Sequence, residues 1–494
     1  MKKKNKNLKA VMAVIVIFLA VSLVAGAVMA LKDTSAMVEN SSSIQTESGN
    51  SSDVVSSDES SVISQTGISS EEDSALSENE NSEDTDEALS ADSDNSQSLS
   101  EAKSTQTPTP TPTATATPTP EATNPPQTTP VTSQMKAMWI SYLEFQSVNF
   151  SSKTAFVSDM TQMFQNCKSM GLDTVIVQVR PFGDALYKSS VFPSSHLITG
   201  TQGAPMAYDP LEEMVKIAHG INLRIEAWVN PYRVRLSSKM PDNIAQNNPA
   251  NNKDLVIEAN GGVYYNPALS EVQEIVAKGV AEIVENYDVD GIHLDDYFYP
   301  STEASLDEAQ YKASGTSLSQ DDWRRENVNT LVRKLYGTVK SIDSSVTFGI
   351  SPQGNNDNNY TMQYSDVKLW LANEGYADYI MPQLYWGFGY LTKSGRTDYQ
   401  FVNLCEQWES YPRAAGVKLY IGLGAYRIGD GDGGANDQSE WSRGDNLMRM
   451  INTINSIDGI DGFALYRYDN LFKNSKYAAL AQSEVDHMTE IMIG

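Results

Sequence analysis

The chain has 494 residues, 63 acidic against 36 basic, and a formal net charge of −27. That is more length than one compact domain needs and the wrong sign for a protein that neutralises phosphates, so nucleic-acid binding is excluded. Its two cysteines, Cys167 and Cys405, and four histidines, His196, His219, His293 and His487, are dispersed. They supply neither a disulfide framework nor a metal-ligand spacing, and no metal or cofactor is expected.

Lys2, Lys3, Lys4, Lys6 and Lys9 precede an uncharged apolar run over 10–31, long enough to span a bilayer and basic on its N-terminal side. Residues 1–32 are therefore expected to be a signal peptide or an N-terminal membrane anchor, with small residues at Ala25, Ala27 and Ala30 where cleavage is feasible. No cysteine lies there for lipid attachment. Residues 33–133 lack the aromatic side chains a core needs; acidic residues such as Glu71, Glu72, Asp73, Glu83 and Asp84 dominate, followed by the Thr-Pro repeat of 107–120. Such a stretch is a disordered linker whose proline-rich end is a pre-extended stalk.

From 134 to 494 short apolar runs alternate with longer amphipathic segments, the pattern of a parallel α/β domain. Strands are expected at 136–143, 174–181, 223–230, 290–298, 346–352, 379–386, 418–426 and 462–468. Helices are expected at 154–170, 211–218, 269–286, 322–342, 402–415 and 445–454. Eight such units fit a (β/α)8 TIM barrel. An open doubly wound sheet is the rival, but no GxGxxG follows the first strand. Long loops are expected after the second, third, fourth and seventh strands and short ones elsewhere. The Gly429-Asp430-Gly431-Asp432-Gly433-Gly434 stretch lacks calcium-loop spacing and reads as a flexible acidic loop.

The fourth expected strand organises the chemistry. In Asp290-Gly291-Ile292-His293-Leu294-Asp295-Asp296-Tyr297 the period of two puts Ile292 and Leu294 on one face and His293 and Asp295 on the other. Asp295 then faces the barrel axis at the carboxyl end, where catalytic groups of this fold collect, and Asp296 follows at the turn. Other inward positions near the strand ends are Trp139, Ser141, Gln178, Arg180, Glu226, Trp228, Asn230, Ser351, Gln353, Gln383, Tyr385, Tyr426 and Tyr466 or Arg467. Acids, amides and aromatics suit sugar: ring faces pack on C–H surfaces, and amides and acids pair with hydroxyls. Glycoside hydrolysis needs one carboxylate at the oxocarbenium-like centre and one proton donor. Asp295 suits the first role. Asp296 or Glu226 is the second, Glu226 through desolvation among Trp228, Tyr232 and the barrel wall; a buried ion pair of Glu226 with Arg180 or Arg233 is the equal alternative.

Several motifs resemble those of the bacterial glycosyl hydrolase-like 10 family, (β/α)8 proteins of the cell envelope. They are Arg180-Pro181-Phe182-Gly183-Asp184-Ala185-Leu186-Tyr187, Tyr208-Asp209-Pro210-Leu211, Ala227-Trp228-Val229-Asn230-Pro231-Tyr232-Arg233, the stretch 290–300, Phe348-Gly349-Ile350-Ser351-Pro352, and Ala377-Asp378-Tyr379-Ile380-Met381-Pro382-Gln383-Leu384-Tyr385-Trp386. The resemblance implies a glycosidase acting on bacterial cell-wall glycan, with the paired aspartates at the reaction centre. Gln353-Gly354-Asn355-Asn356-Asp357 departs from the family's more apolar and basic continuation. A looser similarity to the chitinase fourth-strand motif fails, because Tyr297 stands where its glutamate would be and His293 replaces an aspartate.

The expected protein is thus an exported, wall-associated hydrolase of peptidoglycan glycan strands, membrane-anchored or secreted. Catalytic candidates are Asp295, Asp296 and Glu226. Arg180, Asp184, Trp228, Asn230, Tyr232, His293, Tyr297, Gln383, Tyr385 and Trp386 are the sugar-binding candidates. The alternatives are a hydrolase of another secreted or capsular polysaccharide and a non-catalytic glycan-binding barrel.

Overall fold

The computed structural model describes residues 134–493 apart from 238, 239 and 437. The signal or anchor expected over 1–32 and the linker over 33–133 lie outside the described residues. No helix among the described residues is long and apolar enough to cross a membrane.

A ten-stranded parallel sheet with helices around it forms the domain. Its strands are β1 (Met135–Ile140), β2 (Thr174–Arg180), β3 (Arg224–Val229), β7 (Gly291–Leu294), β8 (Thr347–Ile350), β9 (Tyr379–Ile380), β10 (Gln383–Leu384), β11 (Lys418–Leu419), β12 (Ile421–Gly424) and β13 (Gly462–Tyr466), in the order β10-β12-β13-β1-β2-β3-β7-β8-β9-β11. The two ends of that order belong to the same two chain segments. β9 and β10 are halves of one run broken at Met381 and Pro382, where proline has no N–H to give a ladder, and β11 and β12 are halves of another. β9 pairs with β11 and β10 with β12, so the sheet is curled round on itself.

The loop after β3 holds what the sequence pattern hid, a small antiparallel sheet of β4 (Arg233–Arg235), β5 (Val256–Ala259) and β6 (Gly262–Tyr265). The segment between β10 and the helix Phe401–Glu409 is also long, contrary to the expectation of a short connection there. Helices form where a cap and an apolar stripe coincide. Ser152 caps Lys153–Ser169 by accepting from the Ala155 N–H, and Phe156, Met160, Met163, Phe164 and Cys167 are buried on one side. Asp209 and Pro210 start Pro210–Gly220 in the same way.

Two cores result. Ile292 and Leu294 face outward into the large core between sheet and helices. Inside the curl a second cluster contains Met135, Ala137, Trp139, Ile176, Trp228, Tyr379, Met381 and Ala464. Two large rings enter that narrow space where a nearby strand offers glycine, Tyr379 at Gly349 and Trp139 at Gly422. A Cβ on Gly349 would lie 1.8 Å from the Tyr379 ring. Gly349→Ala is therefore expected to destabilise the domain by about 3 kcal/mol through overpacking, read as a lowered urea midpoint with an unchanged slope.

Candidate active site

β7 ends at Leu294, and Asp295 and Asp296 are the first residues beyond it. Asp295 continues the inward alternation and is 3 % exposed. Its carboxylate accepts from the Trp228 indole N–H at 3.2 Å and from Asn230 Nδ2 at 3.2 Å, both brought from the adjoining β3 and its end. The Tyr297 N–H adds a longer bond at 3.4 Å. Asp296 is half-buried and turns the other way, where Gln383 Nε2 donates to it at 3.0 Å while also holding the Ser351 carbonyl at 2.9 Å.

Burial, and then the charge of Asp296, push Asp295 up to about 7; the Arg233 guanidinium and the indole bond act against that rise. Burial also raises Asp296, against the bond from Gln383. Two adjacent carboxyls in one site titrate as a pair, so the proton held near neutrality belongs to both.

Arg233 is a participant that the sequence expectations left out of the site. It is 2 % exposed, bonds the Pro181 carbonyl through Nε at 2.9 Å, and lies against the rings of Phe182, Tyr297 and Tyr142 at 5.1, 5.2 and 5.5 Å. Such ring faces attract a cation. It stood in the sequence as the end of the Asn230-Pro231-Tyr232-Arg233 turn, and only its proximity to Asp295 gives it significance. On the rim, half-buried Tyr385 stacks on Tyr466 with centroids 5.8 Å apart and planes 20° apart, and half-buried Trp386 follows it.

Other expected site residues are placed elsewhere. His293 lies fully buried beneath the pair. Trp139 Nε1, which is only a donor, points at His293 Nε2 at 3.1 Å, so the ring proton sits on Nδ1, which meets the Tyr379 hydroxyl at 2.7 Å. Desolvation holds this imidazole down at about 3, hence neutral. Tyr379 in turn donates to Glu226 Oε2, and Thr347 Oγ1 donates to Oε1 at 3.0 Å. Glu226 pairs in register with Gly291, at the start of β7, and is not brought to the Asp295 end. Neither expected ion pair forms: its partners are those two hydroxyls, and burial pushes it up to about 7.

Arg180 leaves the inner face because β2 bulges between Gln178 and Arg180, setting it opposite Val229, an outward residue. It lies over Phe192 at 4.5 Å and bonds the Pro231 carbonyl at 3.2 Å. Asp184 is fully buried, accepting from His196 Nδ1 at 2.8 Å and Gln202 Nε2 at 3.0 Å. Tyr232 is buried against Phe298. The structure thus brings Asp295, Asp296, Trp228, Asn230, Tyr297, Gln383 and Tyr385 together, with Trp386 at the rim.

A family model described as glycosyl hydrolase-like 10 matches residues 134–443, and the chain belongs to that family; its class is that of the glycoside hydrolases. It is similar to the glycosyl hydrolase YngK of Bacillus subtilis (strain 168), with 32% identity over 365 residues, covering 69% of each chain. It is also similar to the glycosyl hydrolase DigH of Escherichia coli (strain K12), at 31% over 400 residues, covering 73% of this chain and 89% of that one. Among solved structures, the PgaB (BpsB) glycoside hydrolase domain from Bordetella bronchiseptica matches with a TM-score of 0.47 at 12% identity, covering 71% of this chain and 98% of that one.

Two outcomes follow from the charges. If the pair works with one proton, activity falls as pH rises through about 7. Arg233→Gln removes a cation that favours ionisation and moves that limb upward; Asp296→Asn removes a like charge and moves the Asp295 titration downward, read by carboxyl-carbon NMR. Glu226 has a folded pKa raised from 4.5 to about 7, so the native state binds its proton more tightly than the unfolded chain. Its contribution is full below the unfolded value and is lost as pH rises through about 7, a swing of about 3 kcal/mol. Glu226→Gln should therefore flatten the decline in unfolding free energy between pH 5 and pH 8, measured by urea titration at each pH.

Proposed function

We propose that the chain is an exported hydrolase that cleaves glycosidic bonds in bacterial cell-wall glycan strands, with Asp295 and Asp296 as its reacting groups on a closed (β/α)8 barrel. The observation that carries this reading is the carboxyl pair at the end of β7: one member is nearly inaccessible and bonded to Trp228 and Asn230, the other is half-buried and held by Gln383.

One carboxylate and one carboxylic acid are what glycosidic cleavage consumes. The two carboxyls share the proton, and with it on Asp296 the Asp295 carboxylate, accepting from three N–H groups, meets the oxocarbenium-like centre as nucleophile or stabiliser. Asp296, with fewer bonds and more exposure, is suited to exchange the proton with the leaving oxygen. Asn230, Gln383 and Tyr297 border the pair and orient hydroxyls, and Tyr385 with Trp386 offers ring faces. No cofactor enters this scheme.

The apolar run with its lysine flank and the acidic, proline-rich stretch to 133 support a place outside the cytoplasmic membrane, either anchored there or released into the wall. The relatives' names support the reaction class, and the family resemblance supports wall glycan as the substrate, while tail and site suit another exported polysaccharide equally.

The test is mass spectrometry of products from peptide-free peptidoglycan strands incubated with the purified full-length chain or its Asp295→Asn variant. Shortened glycans are expected from the parent, and release slower by on the order of a thousandfold or more from a folded variant. Undiminished cleavage by Asp295→Asn would remove Asp295 from the chemistry. Strands left intact by the parent would move the choice to another exported polysaccharide or to binding without cleavage.

A further inference from the structure

The glycine-rich segment after β12, expected to be a flexible acidic loop, is instead tied to the loop that leaves β10. Asp432 is 4 % exposed. Its Oδ2 accepts from the Gly387 N–H at 2.8 Å and from the Trp441 indole at 3.1 Å, and its Oδ1 takes the Gly434 N–H at 3.1 Å. Glu440 holds the next two amides, Phe388 N–H at 3.1 Å and Gly389 N–H at 3.2 Å. Three successive N–H groups turned to one side make an anion-binding concavity. Here the chain's own carboxylates fill it.

The fit is close. A Cβ on Gly387 would lie 2.7 Å from the Glu440 carboxyl carbon and 3.0 Å from Asp432 Oδ2. Burial and the neighbouring Asp432 both act against the Glu440 charge, while its bonds to the loop amides favour it. Two like charges are thus brought together in a confined place, an arrangement with a cost. What it provides is a fixed course for residues 386–389.

That course begins with Trp386. Its half-buried ring meets the Tyr399 ring at 5.3 Å and the Tyr390 ring at 6.0 Å, and the Gly354 backbone lies behind it, where a Cβ would come within 2.8 Å of the indole. Gln383, which holds Asp296, is three residues earlier, about 10 Å of extended chain. A neighbouring sugar meets the indole only if a glycan seated at the carboxyl pair extends by about that distance along the run, since part of the Trp386 ring packs against the outer core. Ring faces of this kind pack on sugar C–H surfaces.

We infer that Trp386, edged by Tyr399 and Tyr390, forms a further sugar subsite for the glycan chain, and that Asp432 and Glu440 are positioning residues that hold this subsite in register with the carboxyl pair. The inference rests on the glycoside hydrolase reading for its ligand, and its test is arranged to separate the two.

The test uses the full-length chain, Glu440→Gln, Asp432→Asn and Trp386→Ala. Glu440→Gln puts a donor where an amide N–H needs an acceptor, and hydrogen exchange of amides 387–389 should quicken by about tenfold or more while protection of the sheet strands is kept. For long wall-glycan strands all three variants should raise KM by about tenfold, with kcat falling less, because the lost contact is remote from the reacting bond. A single-sugar aryl glycoside, which does not reach the indole, should show a much smaller change in KM. Unchanged exchange in both acid variants would overturn the positioning role. Equal changes for long and short substrates would overturn the subsite. If the parent cleaves neither substrate, the hydrolase reading fails, and calorimetric binding of long and short wall-glycan fragments decides the inference: a length-dependent affinity lost in Trp386→Ala upholds it, and equal affinities reject it.

Discussion

Two neighbouring carboxyls at the end of β7, inside the curled sheet, are the constraint around which the site is built. The extended backbone turns consecutive side chains to opposite sides, so Asp295 and Asp296 cannot share one set of donors. Asp295 draws on β3, through Trp228 and Asn230, and Asp296 draws on the β9–β10 run, through Gln383. Hydrogen bonds to a charged group contribute about 1.5–3 kcal/mol each, less than the cost of burying an unpaired carboxylate. The remainder is met by a retained proton and by Arg233, which ring faces and the Pro181 carbonyl hold nearby. The raised pKa of the pair is thus a consequence of its architecture.

Beneath the pair, a line of polar groups crosses the inside of the curled sheet from Trp139 to His293, Tyr379 and Glu226. Each bond fixes the direction of the next: the indole can only donate, so the imidazole presents its proton to Tyr379, and the phenol donates to Glu226. A neutral His293 completes the line without burying a second charge. Such a fully paired network has one low-energy arrangement. It gives the carboxyl pair a rigid floor, which the glycines opposite Tyr379 and Glu226 make sterically feasible.

Much of this was legible in the sequence where a period exists. The alternation of Ile292 and Leu294 against His293 and Asp295 places two residues in the outer core and two inside, as found. Depth is another matter. Inward orientation alone did not reveal that Glu226 stands level with Gly291, well before the strand end, since that depends on the register with β7. Nor did it reveal the bulge after Gln178, which turns Arg180 outward. The residue type of His293 suggests a sugar contact; its partners Trp139, Tyr379 and Ser351 come from three other segments, and only the curling of the sheet assembles them.

Loops carry no such period, and there the residue types mislead in both directions. Asp184 sits in a strongly recognisable motif, yet it serves as a brace with His196 and Gln202, which extends through Asn248 to the Gly183 carbonyl and the Tyr265 hydroxyl. That brace joins the loop after β2 to the loop and small sheet after β3, the same segment that delivers Asn230 and Arg233 to the carboxyl pair. Asp432 and Glu440, by contrast, lie in a low-complexity acidic stretch that invites dismissal, and they fasten the loop bearing Trp386. In the first case a buried acid binds donors of its own loop, whose Gln202 and Gly183 reach Asn248 of the next; in the second, buried Asp432 and half-buried Glu440 bind N–H groups of another loop. The strands set where the paired carboxyls stand, and these acids set the loops that surround them.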